Sequence, residues 1–258
     1  MPSLPPVALD PGFLTTPIAH RGLHGPGIAE NSLAAAQAAI DAGYGIELDI
    51  QPDASGAPWV FHDYDLSRLT GRQGFIAATA PQVVAGLRLA GSDQPVPSLP
   101  QFLDLVAGRV PLLIEIKDPD TRLGSDIGTL AERVAEALAG YDGPVAVMSF
   151  NPHVVAAFHA AAAHIPVGLT TCAFDAGDWS RVPPKRREEL ALIADFDLVG
   201  ASFVSHDHRD LANPRVDALK SQGVPVLCWT IRNRQQEAQA RRIADNITFE
   251  AYDPRARP

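Results

Sequence analysis

Residues 45–50 read Gly-Ile-Glu-Leu-Asp-Ile, an alternation of apolar and acidic residues of strand length. Side chains alternate between the two faces of a strand, so Glu47 and Asp49 share one face. The next main predicted strand ends Ile-Glu-Ile-Lys, which places Glu115 and Lys117 on one face. Carboxylates on a buried strand are costly unless other groups offset their charge. The ends of these two strands are therefore the first candidates for a functional site.

Eight apolar runs of strand length occur along the chain, and stretches of helix length separate most of them. The runs lie at 18–20, 45–50, 112–116, 145–150, 167–171, 198–202, 224–230 and 247–249. Strands that alternate with helices form parallel βαβ units. Eight such units in about 250 residues are typical of a closed (β/α)8 TIM barrel, an α/β fold.

The alternative fold is an open doubly wound sheet, which often has a glycine-rich dinucleotide turn after its first strand. Here residues 20–25 read His-Arg-Gly-Leu-His-Gly, without the G-x-G-x-x-G spacing, so the pattern favours the barrel. We expect one domain over 1–258, with a small insertion at about 63–97 between the second and third main strands. An insertion at this place is often a lid or a substrate wall. A segment that only packs on the barrel rim fits the sequence equally well.

The charge and the termini limit the class of protein. The formal net charge is −9, which argues against nucleic acids and anionic membranes as partners, because both bind basic surfaces. Two cysteines, Cys172 and Cys228, are too few for a disulfide framework or a thiolate zinc site. No apolar run approaches about 18 residues, and the N-terminus does not resemble a leader. We therefore expect a cytoplasmic protein without stable membrane insertion; its oligomeric state is not indicated.

The three acidic residues of the two strands, Glu47, Asp49 and Glu115, lie near strand carboxyl ends, where TIM barrels place their active sites. Three carboxylates form an oxygen-rich set that suits a hard divalent cation, Mg²⁺ or Ca²⁺. The alternative is that Glu47 and Asp49 only pair with Arg21 and Lys117 at the barrel mouth. The sequence alone leaves both interpretations open.

Two histidines fall at the same end of the predicted barrel. His20 ends the first strand, and His62 follows a short strand at 59–61. Two histidines that titrate near neutral pH can divide the roles of general base and general acid. Arg21 can hold a phosphate oxygen, and a metal ion can stabilise charge on another. These groups are those that phosphodiester cleavage requires.

Several short motifs occur in a fixed order along the chain. They are H-R-G at 20–22, E-N-S at 30–32, E-x-D at 47–49, H-D-x-x-L-x-R-x-T-G at 62–71, P-S-L at 97–99, E-I-K at 115–117, S-F at 149–150 and W-T at 229–230. With this set the chain resembles the bacterial, cytoplasmic glycerophosphodiester phosphodiesterases. Each motif alone is weak, but the ordered set is highly specific.

The resemblance implies a (β/α)8 barrel, a divalent metal ion (Mg²⁺ or Ca²⁺) and hydrolysis of a small glycerophosphodiester to glycerol 3-phosphate and an alcohol. It also implies roles for eight residues. They are His20 and His62 as the acid–base pair, Glu47, Asp49 and Glu115 as metal ligands, Arg21 and Lys117 as phosphate-binding residues, and Trp229 as an apolar face for the substrate. Filling of the barrel core is the alternative role for the tryptophan.

Two places depart from the family pattern. Ser32 stands where the family usually has threonine, and serine can still cap the following helix. The family's last strand usually ends in Thr-Asp-x-Pro, whereas residues 247–254 read Ile-Thr-Phe-Glu-Ala-Tyr-Asp-Pro. Glu250 and Asp253 are therefore both candidates for the place of the aspartate.

Three other functions compete with this one. The first is a phosphodiesterase of the same architecture that acts on lysophospholipids or sphingolipid head groups; the insertion, with few aromatic residues and little basic excess, argues against a membrane substrate. The second is a catalytically idle phosphate-binding barrel, although every expected ionisable residue is present. The third is an isomerase or aldolase for sugar phosphates, for which Lys117 is the only lysine at a predicted strand end.

Overall fold

The computed structural model describes residues 5–255 of the chain. Nine strands form one sheet: β1 (Ile18–Ala19), β2 (Gly45–Pro52), β3 (Pro58–Val60), β4 (Leu112–Ile116), β5 (Val145–Ser149), β6 (Val167–Thr171), β7 (Phe203–Asp207), β8 (Val226–Ile231) and β9 (Asn246–Phe249). Strand β1 pairs in parallel with both β2 and β9, so the sheet closes on itself. Strand β3 is the exception, because it pairs antiparallel with β2. The other eight form the predicted (β/α)8 TIM barrel.

Ten α-helices occur among the described residues. They are α1 (Gly12–Thr15), α2 (Leu33–Asp41), α3 (Ser67–Thr70), α4 (Pro81–Gly86), α5 (Leu99–Val106), α6 (Leu130–Leu138), α7 (Pro152–Ala161), α8 (Pro184–Ala191), α9 (Pro214–Ser221) and α10 (Arg234–Ala240). Ser32 caps α2 as predicted, because its Oγ accepts a hydrogen bond from Ala35 N at 3.0 Å. Within residues 5–255, every helix is too short or too polar to cross a bilayer.

The barrel separates two apolar clusters. The inner cluster contains Phe13, Ile18, Leu113, Ala146, Met148, Phe203 and Leu227, and the outer one lies between the strands and the helices. Asn246, which begins β9, donates to the carbonyl oxygens of Phe13 and Thr16, so α1 covers the amino end of the barrel. On β2 the outward Ile46, Leu48 and Ile50 are fully buried in the outer cluster. The acidic residues between them face the opposite side, as the alternation predicts.

The prediction of a strand at 198–202 is wrong, because the strand is β7, at Phe203–Asp207. Residues 195–202 form turns instead: Val199 N donates to Asp195 O at 3.1 Å, and Gly200 has a φ of 69°. A left-handed residue interrupts an extended strand, so the apolar residues before it cannot continue one. Polar residues fill the second half of β7, which hid the strand in the sequence.

Between β3 and α5 the chain forms a separate packed segment at 61–98. It contains α3, α4 and a 3₁₀ helix at Ile76–Ala78. A small apolar cluster holds it together, made of Trp59, Phe61, Leu66, Leu69, Ile76, Val84, Leu89 and Val96. The segment lies beside the carboxyl end of β2, because β3 pairs with β2 immediately before it.

Candidate active site

A cavity of about 180 Å³ opens at the carboxyl ends of the parallel strands. All eight residues that the family resemblance implicates line it: His20, Arg21, Glu47, Asp49, His62, Glu115, Lys117 and Trp229. Five others, to which the sequence gave no role, also line it: Met148, Phe150, Thr230, Arg232 and Thr248. The fold therefore gathers side chains from six barrel strands, and His62 from the end of β3, into one place.

Three carboxylates form the acidic side of this cavity. Asp49 on β2 is the Cα partner of Glu115 on β4, and Glu47 lies on the same inward face as Asp49. One oxygen from each of the three carboxylates lies within 4.8 Å of the others. All three residues are buried, with 1–6% of their surface exposed. Three buried, mutually close oxygen donors fit a hard divalent cation such as Mg²⁺ or Ca²⁺.

The pKa values of two of these carboxyl groups move in opposite directions. Burial, with repulsion from Asp49 and Glu115, raises the pKa of Glu47 well above its ordinary value. For Asp49, burial alone would raise the pKa, but Lys117, with help from His62 and Arg21, brings it well below the ordinary range. The negative charge around Glu47 therefore exceeds the positive charge that Lys117 and Arg21 supply there. A bound cation stabilises a site that has such an excess of negative charge.

Lys117 and Arg21 are the cations nearest to the carboxylates. Lys117 Nζ lies 2.7 Å from Asp49 Oδ1 and also donates to Glu115. Arg21 donates its backbone N–H to Glu47 Oε2 at 3.0 Å, and its side-chain Nε lies 3.3 Å from Asp49. The pairing that the sequence left as an alternative to metal binding is therefore present, and it coexists with a donor set that fits a cation.

The turn after β1 brings the arginine into this position. Arg21 has a φ of 57°, in the left-handed region that non-glycine residues seldom adopt. Gly22 follows with a φ of 78°, and a Cβ there would lie 2.8 Å from the Cβ of Ala35 on α2. The close approach of turn and helix requires glycine at this position. Strained backbone of this kind is concentrated at functional sites.

Glu30 and Asn31 belong to the site, although in the sequence they stand out only as part of a motif. Asn31 Nδ2 donates to Asp49 Oδ2 at 2.9 Å. Glu30 accepts from Arg21 Nη1 at 2.7 Å and from two nitrogens of Arg68 at 2.8 and 2.9 Å. These contacts orient a carboxylate and an arginine that line the cavity. The signal for both residues in the sequence was the E-N-S motif at 30–32, which ends in the helix cap Ser32.

The imidazole of His20 is held between two carboxylates. Its Nδ1 lies 2.5 Å from Glu250 Oε2, and its Nε2 lies 3.9 Å from Glu47 Oε2. Burial lowers the pKa of His20, an effect that the hydrogen bond to Glu250 partly offsets. The Nε2 atom is therefore the one that faces the metal-type ligands and the cavity.

His62 has a similar environment on the other side of the cavity. Its Nδ1 lies 2.7 Å from Asp63 Oδ1. Asp63 also accepts from Arg68 Nε at 2.6 Å. Burial opposes ionisation of Asp63, but the hydrogen bonds from His62 and Arg68 outweigh it and lower the pKa of the carboxyl group. His62 therefore contacts an ionised carboxylate that an arginine also binds.

The two acidic residues after the last strand have different surroundings. Glu250 contacts His20, and its other oxygen accepts from Arg232 Nε at 2.7 Å. Asp253 accepts from the hydroxyl of Tyr44 and from the backbone N–H of Arg255. Of the two candidates that the sequence left open, Glu250 is the one that contacts His20, a residue that lines the cavity.

Trp229 is fixed at the rim of the cavity by its ring nitrogen, which donates to Ser205 O at 2.9 Å. Its ring centroid lies 5.5 Å from that of Phe150, which in turn packs against Trp179 at 4.9 Å. Trp229 is partly exposed, in contrast to the buried residues on either side of it in β8. The same three rings line a second cavity of about 290 Å³, which also touches His62, Glu115 and Lys117.

Nearly the whole chain matches a known protein family. The model of the glycerophosphoryl diester phosphodiesterase family matches residues 20–248. The uncharacterized protein YqiK of Bacillus subtilis is 33% identical over 168 residues, which are 61% of this chain and 67% of that protein. A glycerophosphodiester phosphodiesterase of Bacillus subtilis is 26% identical over 257 residues, which are 92% of this chain and 82% of the relative.

Solved structures share the fold. A phosphodiesterase of Oleispira antarctica, in complex with the product sn-glycerol-3-phosphate, has a TM-score of 0.73 and 22% sequence identity, over 93% of this chain and 94% of that one. Structural similarity at this level of sequence identity shows only that the barrel fold is shared. The match to the family model shows that the chain is related to the family. The chain therefore belongs to the glycerophosphoryl diester phosphodiesterase family, a family of phosphoric diester hydrolases.

Proposed function

We propose that this chain hydrolyses glycerophosphodiesters to glycerol 3-phosphate and an alcohol, with a divalent metal ion and two histidines. The observation that carries the proposal is the cavity in which three buried carboxylates, two histidines and two cations meet. Membership of the family and the glycerol phosphate bound in the Oleispira relative support the same substrate class.

In this proposal Glu47, Asp49 and Glu115 hold the metal ion, Mg²⁺ or Ca²⁺. A divalent cation bound there supplies positive charge that stabilises a phosphate oxygen as negative charge develops in the transition state. The raised pKa of Glu47 supports this assignment, because a cation would relieve the repulsion among the three carboxylates.

Arg21 and Lys117 bind the phosphate oxygens, and Trp229 provides an apolar face to the glycerol or the alcohol. Of the two histidines, one accepts a proton from the attacking hydroxyl, and the other donates a proton to the oxygen of the departing alcohol. A new P–O bond forms as the bond to the alcohol breaks. Attack by water gives glycerol 3-phosphate directly. Attack by the neighbouring glycerol hydroxyl gives a cyclic phosphate, which water then opens in a second step with a second pair of proton transfers.

We also propose that residues 1–258 act as one domain, and that the insertion at about 63–97 is part of the site wall. Arg68 of this segment reaches both Glu30 and Asp63, and Asp63 in turn contacts His62. The insertion thus helps to place one of the proposed catalytic residues.

The direct test is release of glycerol 3-phosphate from glycerophosphocholine and glycerophosphoethanolamine. Each substrate is assayed with Mg²⁺, with Ca²⁺ and with EDTA. Metal-dependent release supports the proposal and ranks the two metals. No release under any condition would favour a lysophospholipid or another diester as the substrate, and after those the catalytically idle barrel.

The aromatic-lined cavity favours a second candidate, a lysophospholipid substrate. It adjoins the proposed metal ligands and is lined by Tyr64, Leu123, Phe150, Trp179 and Trp229, so it could accept an apolar chain. Turnover of lysophosphatidylcholine compared with glycerophosphocholine distinguishes the two. Faster hydrolysis of the lysolipid would favour the second candidate over the first.

A further inference from the structure

The contact between Glu250 and His20 joins residues that are 230 positions apart in the chain. Glu250 directly follows β9, and its backbone N–H donates to Ile231 O at the end of β8. The backbone N–H of His20 donates to Phe249 O at 2.9 Å. The pairing of β1 with β9 that closes the barrel therefore also fixes the distance between these two side chains.

We propose that Glu250 is a positioning residue for His20, which keeps a proton on Nδ1 and thereby presents Nε2 to the substrate. This inference rests on the proposed catalytic role of His20. It goes further because it assigns a function to a residue at the point where the chain departs from the family's usual last strand.

The carboxylate of Glu250 is in the form that this role requires. The hydrogen bond from His20 lowers its pKa most, and the nearby His24, whose Nε2 lies 3.7 Å from Glu250 Oε2, and Arg232 add to the effect against the opposing influence of burial. An ionised carboxylate can only accept hydrogen bonds, so the proton in the contact with His20 belongs to Nδ1. The ring nitrogen that remains for exchange with the substrate is Nε2, which faces the cavity near Glu47.

Arg232 holds Glu250 in place for this contact. Its Nε lies 2.7 Å from Oε1, while Oε2 of the same carboxylate binds the histidine. With both oxygens occupied, the carboxylate has one orientation, and so does the imidazole. Fixed orientation of a proton-transfer group is worth orders of magnitude in rate in other enzymes.

The site contains a parallel that supports the interpretation. His62 meets Asp63 at Nδ1, and Arg68 binds the same carboxylate. There the carboxylate is the next residue in the chain, whereas for His20 it comes from the opposite end of the sequence. Both proposed catalytic histidines thus have the same three-residue arrangement, reached by different routes.

The test compares Glu250→Ala and Glu250→Gln with His20→Ala and with the double variant His20→Ala/Glu250→Ala. The assay is release of glycerol 3-phosphate from glycerophosphocholine by the full chain with its metal ion. Asp253→Asn is the matched control, because Asp253 is the other acidic residue of this segment and bonds to Tyr44 instead.

We expect Glu250→Ala to lower kcat by about 10- to 100-fold with a far smaller change in KM, as when a carboxylate that orients a histidine is lost elsewhere. Glu250→Gln keeps an acceptor oxygen and should retain more of the activity. In the His20→Ala background, removal of Glu250 should have no further effect, because a residue that acts through another has nothing left to position. Asp253→Asn should resemble the wild type.

Three results would overturn the inference. The first is a wild-type kcat for Glu250→Ala, and the second is a loss of the same size with and without His20. The third result does not depend on an activity assay. It is an NMR signal of the proton on His20 Nδ1 that persists in the folded Glu250→Ala variant, measured without substrate. If His20→Ala is itself near normal, the proposed role of His20 fails first, and this inference fails with it.

Discussion

Asp49 and Glu115 are direct Cα partners on adjacent parallel strands, and Lys117 donates to both carboxylates. The pairing of β2 with β4 therefore sets the spacing of two of the three proposed metal ligands before any ion binds. Such preorganisation by strands is more accurate than placement by loops. It also allows metal binding to be tested separately from catalysis.

The proposed ligand set predicts metal-dependent stability. At a free metal concentration of 100 times Kd, binding stabilises the native state by about 2.7 kcal/mol. Thermal unfolding of the wild type should therefore occur at a higher temperature with Mg²⁺ or Ca²⁺ than with EDTA. Glu47→Gln and Glu115→Gln should largely abolish this difference. Glu132→Gln, at an exposed position of α6, should keep it; equal metal responses in all the variants would refute the ligand assignment.

Replacement of the second histidine should reduce turnover without unfolding the protein. General acid–base catalysis contributes roughly 10²–10⁴-fold, so we expect a loss of that order in kcat for His62→Ala. His153→Ala is the control, because His153 is exposed on α7, outside the cavity. The measurement is release of glycerol 3-phosphate, with circular dichroism as the check on folding. A variant with near-normal kcat would exclude His62 from proton transfer.

The barrel could be predicted from the sequence because the pattern that indicates it is local and recurs along the chain. Inward carboxylates at 47 and 49 and at 115 interrupt otherwise apolar strands, and the period of two gives their face directly. Because the carboxyl ends of parallel strands meet at one edge, the same pattern predicted which residues come together. Seven of the eight selected side chains line the cavity for this reason, whereas Trp229 was expected there from the family resemblance.

The parts that could not be predicted depend on distant contacts. Strand β7 was missed because Ser205, His206 and Asp207 are polar, and only the closed barrel makes them strand residues. His206 is fully buried there, between Thr171 and Asp210, a structural role that the sequence gives no means to recognise. The contact of Glu250, and not of Asp253, with His20 likewise depends on the place where β9 pairs with β1.

The turn between β2 and β3 provides a prediction of stability against pH. Asp53 Oδ1 accepts from Ser55 and from the backbone N–H of Ala57, and Oδ2 accepts from Trp59 Nε1 at 2.9 Å. Burial alone would raise the pKa of Asp53, but these hydrogen bonds lower it. The stabilisation is therefore present above the unfolded pKa of about 4 and is lost as the pH falls through the folded value.

Asp53→Asn should destabilise the protein by about 1–3 kcal/mol at pH 7, because an amide nitrogen replaces one carboxylate oxygen and then faces a hydrogen-bond donor. The measurement is urea unfolding at a series of pH values. The difference between wild type and variant should shrink below about pH 4, as the wild-type carboxyl group becomes protonated. Asp104→Asn, at an exposed position of α5, is the control. A difference that stays constant down to low pH would contradict the proposed role of these hydrogen bonds.

The register of β7 against β6 can be tested through Gly168 and Phe203. These residues are Cα partners, and a Cβ added at Gly168 would lie 2.4 Å from the ring of Phe203, inside the barrel. Gly168→Ala should therefore cost about 1–3 kcal/mol through overpacking. Gly140→Ala is the control, because a Cβ there meets no atom within 4 Å.

Phe203→Leu removes the part of the ring that clashes, so the two changes should be coupled. We expect the double variant to be more stable than the sum of the single effects by about 0.5–3 kcal/mol, the range seen for residues in contact. The measurement is a double-mutant cycle by urea unfolding. Strictly additive effects would mean that the ring of Phe203 does not lie over Gly168. The contact that supports a strand beginning at Phe203 would then be absent. Coupling of the expected sign would instead support the start of β7 at Phe203, five residues after the start that the sequence alone predicted.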